Sequence, residues 1–470
     1  MRFIELFRPL GRYVLEVSPP QKKVSFNEKL FWTSMALIVY FIMSEVPLYG
    51  VGAGEADPFG ALRVIFASKR GTLMELGIGP IVTAGLILQI LSGSKMIDLD
   101  MKDPGDRALF TTASKVLSVL MTLFEALAFI IGGVYGSLTP QAKLIILVQL
   151  MAAGIVIMLL DELLQKGWGF GSGISLFIAA GVAQTIWWSA FAPLGPLSDG
   201  KYLGATLAFI QSLQGGGAIL NAFYRSEGLP DMIGLITTVA VFLIIIYLNG
   251  LRVEIPVSYA RFRGYRSRFP LKLLYVSNIP VIFASALFGN IYFVSQIIWA
   301  RYNQAGTNPW LSLLGIFERQ GTQYVPKSGL AYYVISPRSL SDVLADPVRA
   351  GIFTAVMVLT CIFFAVTWVE VGGMDARSVA KQLLDSGMQI EGFRRSYTPI
   401  QQLLSKYIPT VTVLGGIIIG LIASLSDFLG AFGSGVGILL MVGILEQYYQ
   451  ILARERIAEM YPALGALLGR

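Results

Sequence analysis

The sequence predicts an all-α integral membrane protein, a bundle of about ten transmembrane helices. Three observations carry the class. Of the 470 residues 55% are hydrophobic and only 14% charged, with a mean hydropathy of +0.66, whereas soluble domains carry about 25% charged residues. Apolar runs long enough to span a bilayer, about 18 residues or more, recur from one end to the other. Lys and Arg are split unevenly between alternate connections.

The apolar segments begin near Leu30, Leu76, Ala108, Gln141, Gly173, Asp231, Leu271, Gly351, Leu404 and Leu429. An even number of spans puts both termini on one side, and 25 of the 36 Lys and Arg residues fall in that side's connections. By the positive-inside rule both termini are cytoplasmic. The opening residues, MRFIELFRPLGRYVLEV, alternate Arg2, Arg8 and Arg12 with apolar residues at helical spacing. They read as a helix on the membrane surface, since no apolar core and cleavage site of a signal peptide follow.

Two long outer connections, roughly 190–230 and 300–349, are rich in Gly, Pro and aromatic residues and read as ordered caps or short helices. The first divides the chain into an N-terminal half, 1–190, an external connection, 191–230, and a C-terminal half, 231–470. Five spans on each side are compatible with an inverted repeat. The absence of histidine and the single cysteine, Cys361 in an apolar run, exclude His-based metal sites, His-dependent triads and a disulfide framework.

Three stretches break the rules of a lipid-facing anchor. GTLMELGIGPIVTAGLILQIL, from Gly71, carries Glu75, Gly77, Gly79, Pro80, Thr83 and Gln89 in a run otherwise fit to cross a bilayer, and sets Ile78 and Val82 on one helical face. Irregular backbone at that depth is tolerated only against protein or a cavity. Just before it, DPFGALRVIFASKR has room for one short helix, too short to cross. GWGFGSGISLFI, from Gly167, lacks the spacing and preceding strand of a phosphate-cradling loop and reads as a tight helix entry, with Ile174 and Ile178 four apart. SNIPVIFASALFGN, from Ser277, places Pro280 as a kink between Asn278 and Asn290.

Among acids within or near spans, Glu45, Glu125, Glu370, Asp427 and Glu446, only Glu125 is central. The connections at about 252–272 and 372–403 are basic, and EIPVSYARFRGYRSRFPLK interleaves Arg with Tyr and Phe. That mixture suits phosphate backbones and stacked bases, and equally anionic lipid. A secondary transporter shares the span count and broken helices but needs several polar groups near the midplane, where aliphatics dominate. A membrane protease lacks histidine and paired aspartates, and no GxxxxGK[ST] occurs, so any driving force comes from outside the chain.

The stretch from Thr72 through Leu91 resembles, without a gap, the signature of the SecY family, the channel subunit of the general protein translocon. GFGSGIS is similar to the family's second signature, and GAFGSGVGILL resembles its last helix. The likeness runs over essentially the whole chain and is of the archaeal type, close to the eukaryotic translocon α-subunit. One departure is a chain one residue longer between Glu162 and Gly169, with Gln165 where a small hydroxyl residue is typical.

The resemblance implies two pseudo-symmetric halves of five helices around a central pore, a protein-conducting channel in the cell (plasma) membrane, without cofactor or catalysis. It implies a hydrophobic ring of Ile78, Val82, Ile174, Ile178, Ile282 and Leu440, whose aliphatic side chains would exclude ions at rest by dewetting. It implies a plug at about 57–70, with Asp57, Pro58, Phe59, Leu62, Ile65, Phe66, Lys69 and Arg70, and a lateral-gate polar cluster of Gln89, Glu125 and Asn290. Ribosome contacts would fall on Arg261, Arg263 and Arg394. The implied partners are a single-span SecE/gamma-type subunit, a small SecG/beta-type subunit, the ribosome, nascent chains with their signal sequences, and membrane lipid.

Overall fold

A computed structural model describes residues 9, 15–51, 63, 66–93, 97, 103–131, 135, 139–196, 200–214, 223–225, 229–259, 266–276, 279–304, 308–320, 323–337, 339–386, 388–390 and 397–460. Among the described residues, ten long helices occupy the positions of the ten expected spans: Phe26–Glu45, Gly79–Gly93, Pro104–Ile131, Pro140–Leu163, Gly173–Phe191, Met232–Gly250, Ile279–Tyr302, Pro347–Val371, Tyr397–Phe428 and Gly435–Met460. Among the described residues eight are long and apolar enough to cross a membrane. Gly79–Gly93, with 15 residues, falls short, because at 1.5 Å per residue it reaches about 22 Å against a hydrocarbon core of about 30 Å.

Helix starts follow local chemistry. Ser25 and Glu28 form a reciprocal capping box at the first helix. Thr139 caps Pro140–Leu163, and Asp231 caps Met232–Gly250 through the Gly234 N–H at 2.7 Å. Between Glu162 and Gly169 the chain makes a π-helical turn, Leu164–Trp168, with Gly167 inside it at φ 98°.

Two expectations are corrected. The span placed near Leu271 begins at Ile279, because the apolar run before it belongs partly to a strand that ends at Lys272. Pro280, taken as a mid-span kink, is the second residue of that helix, where a missing N–H costs nothing. The outer connections do hold short elements, including helix Ala205–Gln214 and the hairpin of β3 (Ile316–Gln320) with β4 (Gln323–Ser328). The basic connections also carry strands: β1 (Arg252–Tyr259) pairs antiparallel with β2 (Arg266–Lys272) and with β5 (Met388–Ile390).

The chain divides into two compact units, one of Met1–Ser189, Phe288–Ile335 and Leu440–Arg470, the other of Ala190–Leu287 and Ser336–Leu439. A core of the first gathers Leu48, Leu76, Ala126, Phe129, Ile146, Leu150 and Phe293. One of the second gathers Ile255, Leu271, Val369, Val379, Leu383, Leu404 and Ile408, so the basic sheet is seated on helices through its apolar face. Cys361 is fully buried, its Sγ 3.9 Å from Met357 Sδ.

Candidate functional site

The site is built on the chain that enters the Gly79–Gly93 helix, entirely within the first unit. Residues 66–78 fold as consecutive turns tied to the end of the first helix: the Leu48 N–H donates to Gly71 O at 2.8 Å, and Leu73 N–H to Val46 O at 3.0 Å. Ile78 N–H donates to Phe66 O at 2.8 Å, which draws the turn shut. Gly77 sits there at φ 57°, and a Cβ on it would collide with the Phe66 carbonyl oxygen. A side chain is therefore excluded both by conformation and by space. These turns use residues that the apolar pattern assigns to the span, which is why the helix starts at Gly79 and not near Leu76.

Inside the turns lies a buried ion pair. Arg63 Nη2 is 2.7 Å from Glu75 Oε1, with side chains 8% and 0% exposed. Arg63 Nη1 also reaches Glu75 O at 3.4 Å, and the other Glu75 oxygen accepts the Gly71 N–H. Such a pair is held because its remaining lone pairs are also bonded, and removing one partner alone costs about 3–5 kcal/mol. Tyr135 packs nearby, and burial together with the Glu75 charge pushes its hydroxyl well above the ordinary tyrosine range.

A cavity opens beside this pair. Phe66, Glu75, Gly79, Thr83, Glu125 and Asn290 line it, with Phe129 and Phe293, their rings tilted 33° to each other at 5.1 Å between centroids, as an aromatic wall. Glu125 reaches it from Pro104–Ile131 and Asn290 from Ile279–Tyr302. Two of the three expected gate residues thus share one cavity. Gln89 is not part of its lining; it is half-buried, and its amide oxygen is buried with no hydrogen-bond partner.

Of the six expected ring residues, Ile78, Ile178 and Leu440 are buried and Val82, Ile174 and Ile282 half-buried. Five lie in the first unit and Ile282 in the second. Of the expected plug residues, Asp57, Pro58, Phe59, Leu62 and Ile65 lie outside the described residues, while Phe66 lines the cavity and Lys69 pairs with Glu45 at 2.5 Å on the exposed side. Arg70 is half-buried in the same run of turns. Arg261, Arg263 and Arg394 also lie outside the described residues. The strands that lead into their loops are paired in one sheet.

Sequence reasoning noted Glu75 as out of place but did not find its partner. Arg63 lies twelve positions upstream, in a segment with no periodicity that would point it inward. The signal available was the acid itself, which in an apolar run needs a counter-charge.

Comparison with known proteins follows this geometry closely. The SecY family model matches residues 72–449, and the model described as the plug domain of Sec61p matches residues 38–71, which include the expected plug. A solved protein-conducting channel is 39% identical over 97% of this chain and 98% of its own, with a TM-score of 0.81. Sec61 in the canine ribosome–channel complex from the endoplasmic reticulum is 39% identical at the same coverage, with a TM-score of 0.79. The idle yeast Ssh1 complex bound to the yeast 80S ribosome contributes a chain 27% identical over 96% of this chain and 94% of its own, TM-score 0.79. With most of its length matched by one family model, and with the turns of the plug segment leading straight into the family signature, this chain belongs to the SecY family.

Proposed function

We infer that this chain is a protein-conducting channel that moves secretory polypeptides across the membrane and releases transmembrane segments sideways through a lateral gate. The observation that carries the reading is the junction at residues 63–79, where the plug-family segment and the family signature meet at a buried ion pair and a cavity shared with Glu125 and Asn290. In this reading Ile78, Val82, Ile174, Ile178, Ile282 and Leu440 form the constriction. Aliphatic side chains suit that task, since they dewet a narrow passage and yield around a chain without binding it.

Residues 57–70 act as the plug, and Gln89, Glu125 and Asn290 form a polar patch that a signal sequence displaces when it intercalates. The unpartnered amide oxygen of Gln89 supports a patch whose partners change. The two halves, 1–190 and 231–470, move as the channel opens. Arg261, Arg263 and Arg394 dock the ribosome, as the ribosome-bound relatives suggest. A single-span SecE/gamma-type subunit and a small SecG/beta-type subunit complete the complex in the plasma membrane, with both termini cytoplasmic. The chain itself catalyses no reaction.

The test is a crosslinking map. A photoreactive residue is placed at Val82 or at Gln89 during arrested synthesis of a secretory protein. Adducts from Val82 to the nascent chain and from Gln89 to its signal sequence are expected; adducts at neither, with the chain demonstrably targeted, overturn the reading.

A further inference from the structure

The turn that enters Gly173–Phe191 is fastened by side chains from three other helices of the same unit. Thr33 Oγ1 accepts the Phe170 N–H at 3.0 Å. The Tyr448 hydroxyl lies 3.1 Å from Phe170 O and 2.7 Å from Ser172 O, with one proton to share between them. Asp161 does the most. One carboxyl oxygen accepts from Ser172 Oγ at 3.1 Å and from Ile174 N–H at 3.0 Å, and the other accepts from Gln165 Nε2 at 2.7 Å.

The first N–H groups of a helix have no partner within it. Here one of them is capped by an acid from the preceding helix, and the π-helical turn brings Gln165 round to hold that acid from its far side. The approach is close as well as bonded: a Cβ on Gly173 would sit 2.7 Å from Asp161 Cα. Any rotation or sliding of Gly173–Phe191 against Pro140–Leu163 breaks the two bonds that Asp161 accepts from Ser172 and Ile174 together. Ile174, whose own N–H is held, and Ile178, one turn on, share the face that such a movement would displace.

We propose that Asp161, supported by Tyr448, is a positioning residue for the channel's constriction, setting the rotation and depth of the helix that carries Ile174 and Ile178 so that the resting pore excludes ions. This rests on the reading of those two isoleucines as constriction residues. Nothing in the arrangement requires Asp161 to meet the translocating chain; it acts through the backbone of Ile174.

The experiment measures halide flux through the resting, reconstituted channel complex in proteoliposomes, with thermal unfolding of each variant measured in parallel. Asp161→Ala is expected to raise resting flux several-fold, while Asp161→Asn, which keeps an acceptor for the Ile174 N–H, stays near the parent. Ile174→Gly tests the constriction directly. Flux through Ile174→Gly with a tight Asp161→Ala channel, even one that unfolds earlier, overturns the positioning role and leaves the constriction standing. Tight channels for both Ile174→Gly and Ile178→Gly overturn the constriction reading and the positioning role with it. If Asp161→Ala does not accumulate, the double variant Ser172→Ala with Tyr448→Phe removes the hydroxyls from both sides of the turn; it is expected to leak, and a tight double variant overturns the proposal.

Discussion

Residues 170–173 of the first unit and 432–435 of the second both read FGSG, and each leads into a long helix, Gly173–Phe191 and Gly435–Met460. Their fastenings run in parallel. The Phe170 N–H donates to Thr33 Oγ1 at 3.0 Å and the Phe432 N–H to Thr238 Oγ1 at 2.8 Å; Gly171 and Gly433 take φ of 63° and 77°. An acid of the preceding helix holds each helix start, Asp161 through Ile174 N–H and Asp427 through Gly435 N–H at 2.6 Å. The serines differ. Ser434 takes a left-handed φ of 64° and accepts the Gly437 N–H at 3.1 Å, capping its own helix. Ser172 instead donates to Asp161. The same four residues therefore give one turn whose serine adds a cap of its own to the acid's hold and one whose serine is spent on holding the acid of the preceding helix.

Substitutions at the glycines that open the two helices should have the largest effect. A Cβ on Gly435 would overlap the Ala423 carbonyl oxygen and lie 2.6 Å from Ser426 Cβ, whereas one on Gly173 would lie 2.7 Å from Asp161 Cα. Overpacking against backbone costs about 1–3 kcal/mol, so Gly435→Ala and Gly173→Ala should both lower the unfolding midpoint, the former more. A silent Gly435→Ala would show that the second turn is looser than its geometry implies.

Thr33→Val and Thr238→Val come next. Each leaves a buried phenylalanine N–H unpaired, at about 1–3 kcal/mol, and near-equal losses in thermal unfolding are expected. A loss at one site alone would break the equivalence of the two turns.

The smallest effects separate the serines. Ser434→Ala removes a local cap, worth about 1 kcal/mol, while Ser172→Ala removes one of several bonds to Asp161 and should cost a few tenths in the same assay, within the ~0.5 kcal/mol range of minor substitutions. The reverse order would mean that Asp161 does not carry the cap of the first turn.

Much of this architecture was legible beforehand. Apolar length marks the helices, the run at Gly167 reads as a tight helix entry, and the run at Gly71 reads as irregular backbone because its glycines sit where a lipid-facing helix has no use for them. Glu125 and Asn290, two of the three residues that the family resemblance assigns to a gate cluster, line one cavity, and the third, Gln89, does not. The strands were missed, since in FRGYRSRFPLKLLYV the apolar residues of β2 merge with those before Ile279 and erase the boundary. The partner of Glu75 was missed because Arg63 lies in a stretch with neither helical nor strand period.

Hydropathy, period and turn composition are properties of short stretches, so the sequence by itself determined the membrane class, the order of the helices and the irregular entries near Gly71 and Gly167. Which groups meet across those entries is not local. Asp161 reaches Ile174 across thirteen positions, Thr33 reaches Phe170 across 137 and Tyr448 reaches Phe170 across 278, and many residues of each type could have served. Only tertiary packing selects them, because a buried N–H or carboxylate must find its partner among the side chains that the folded helices bring within about 3 Å.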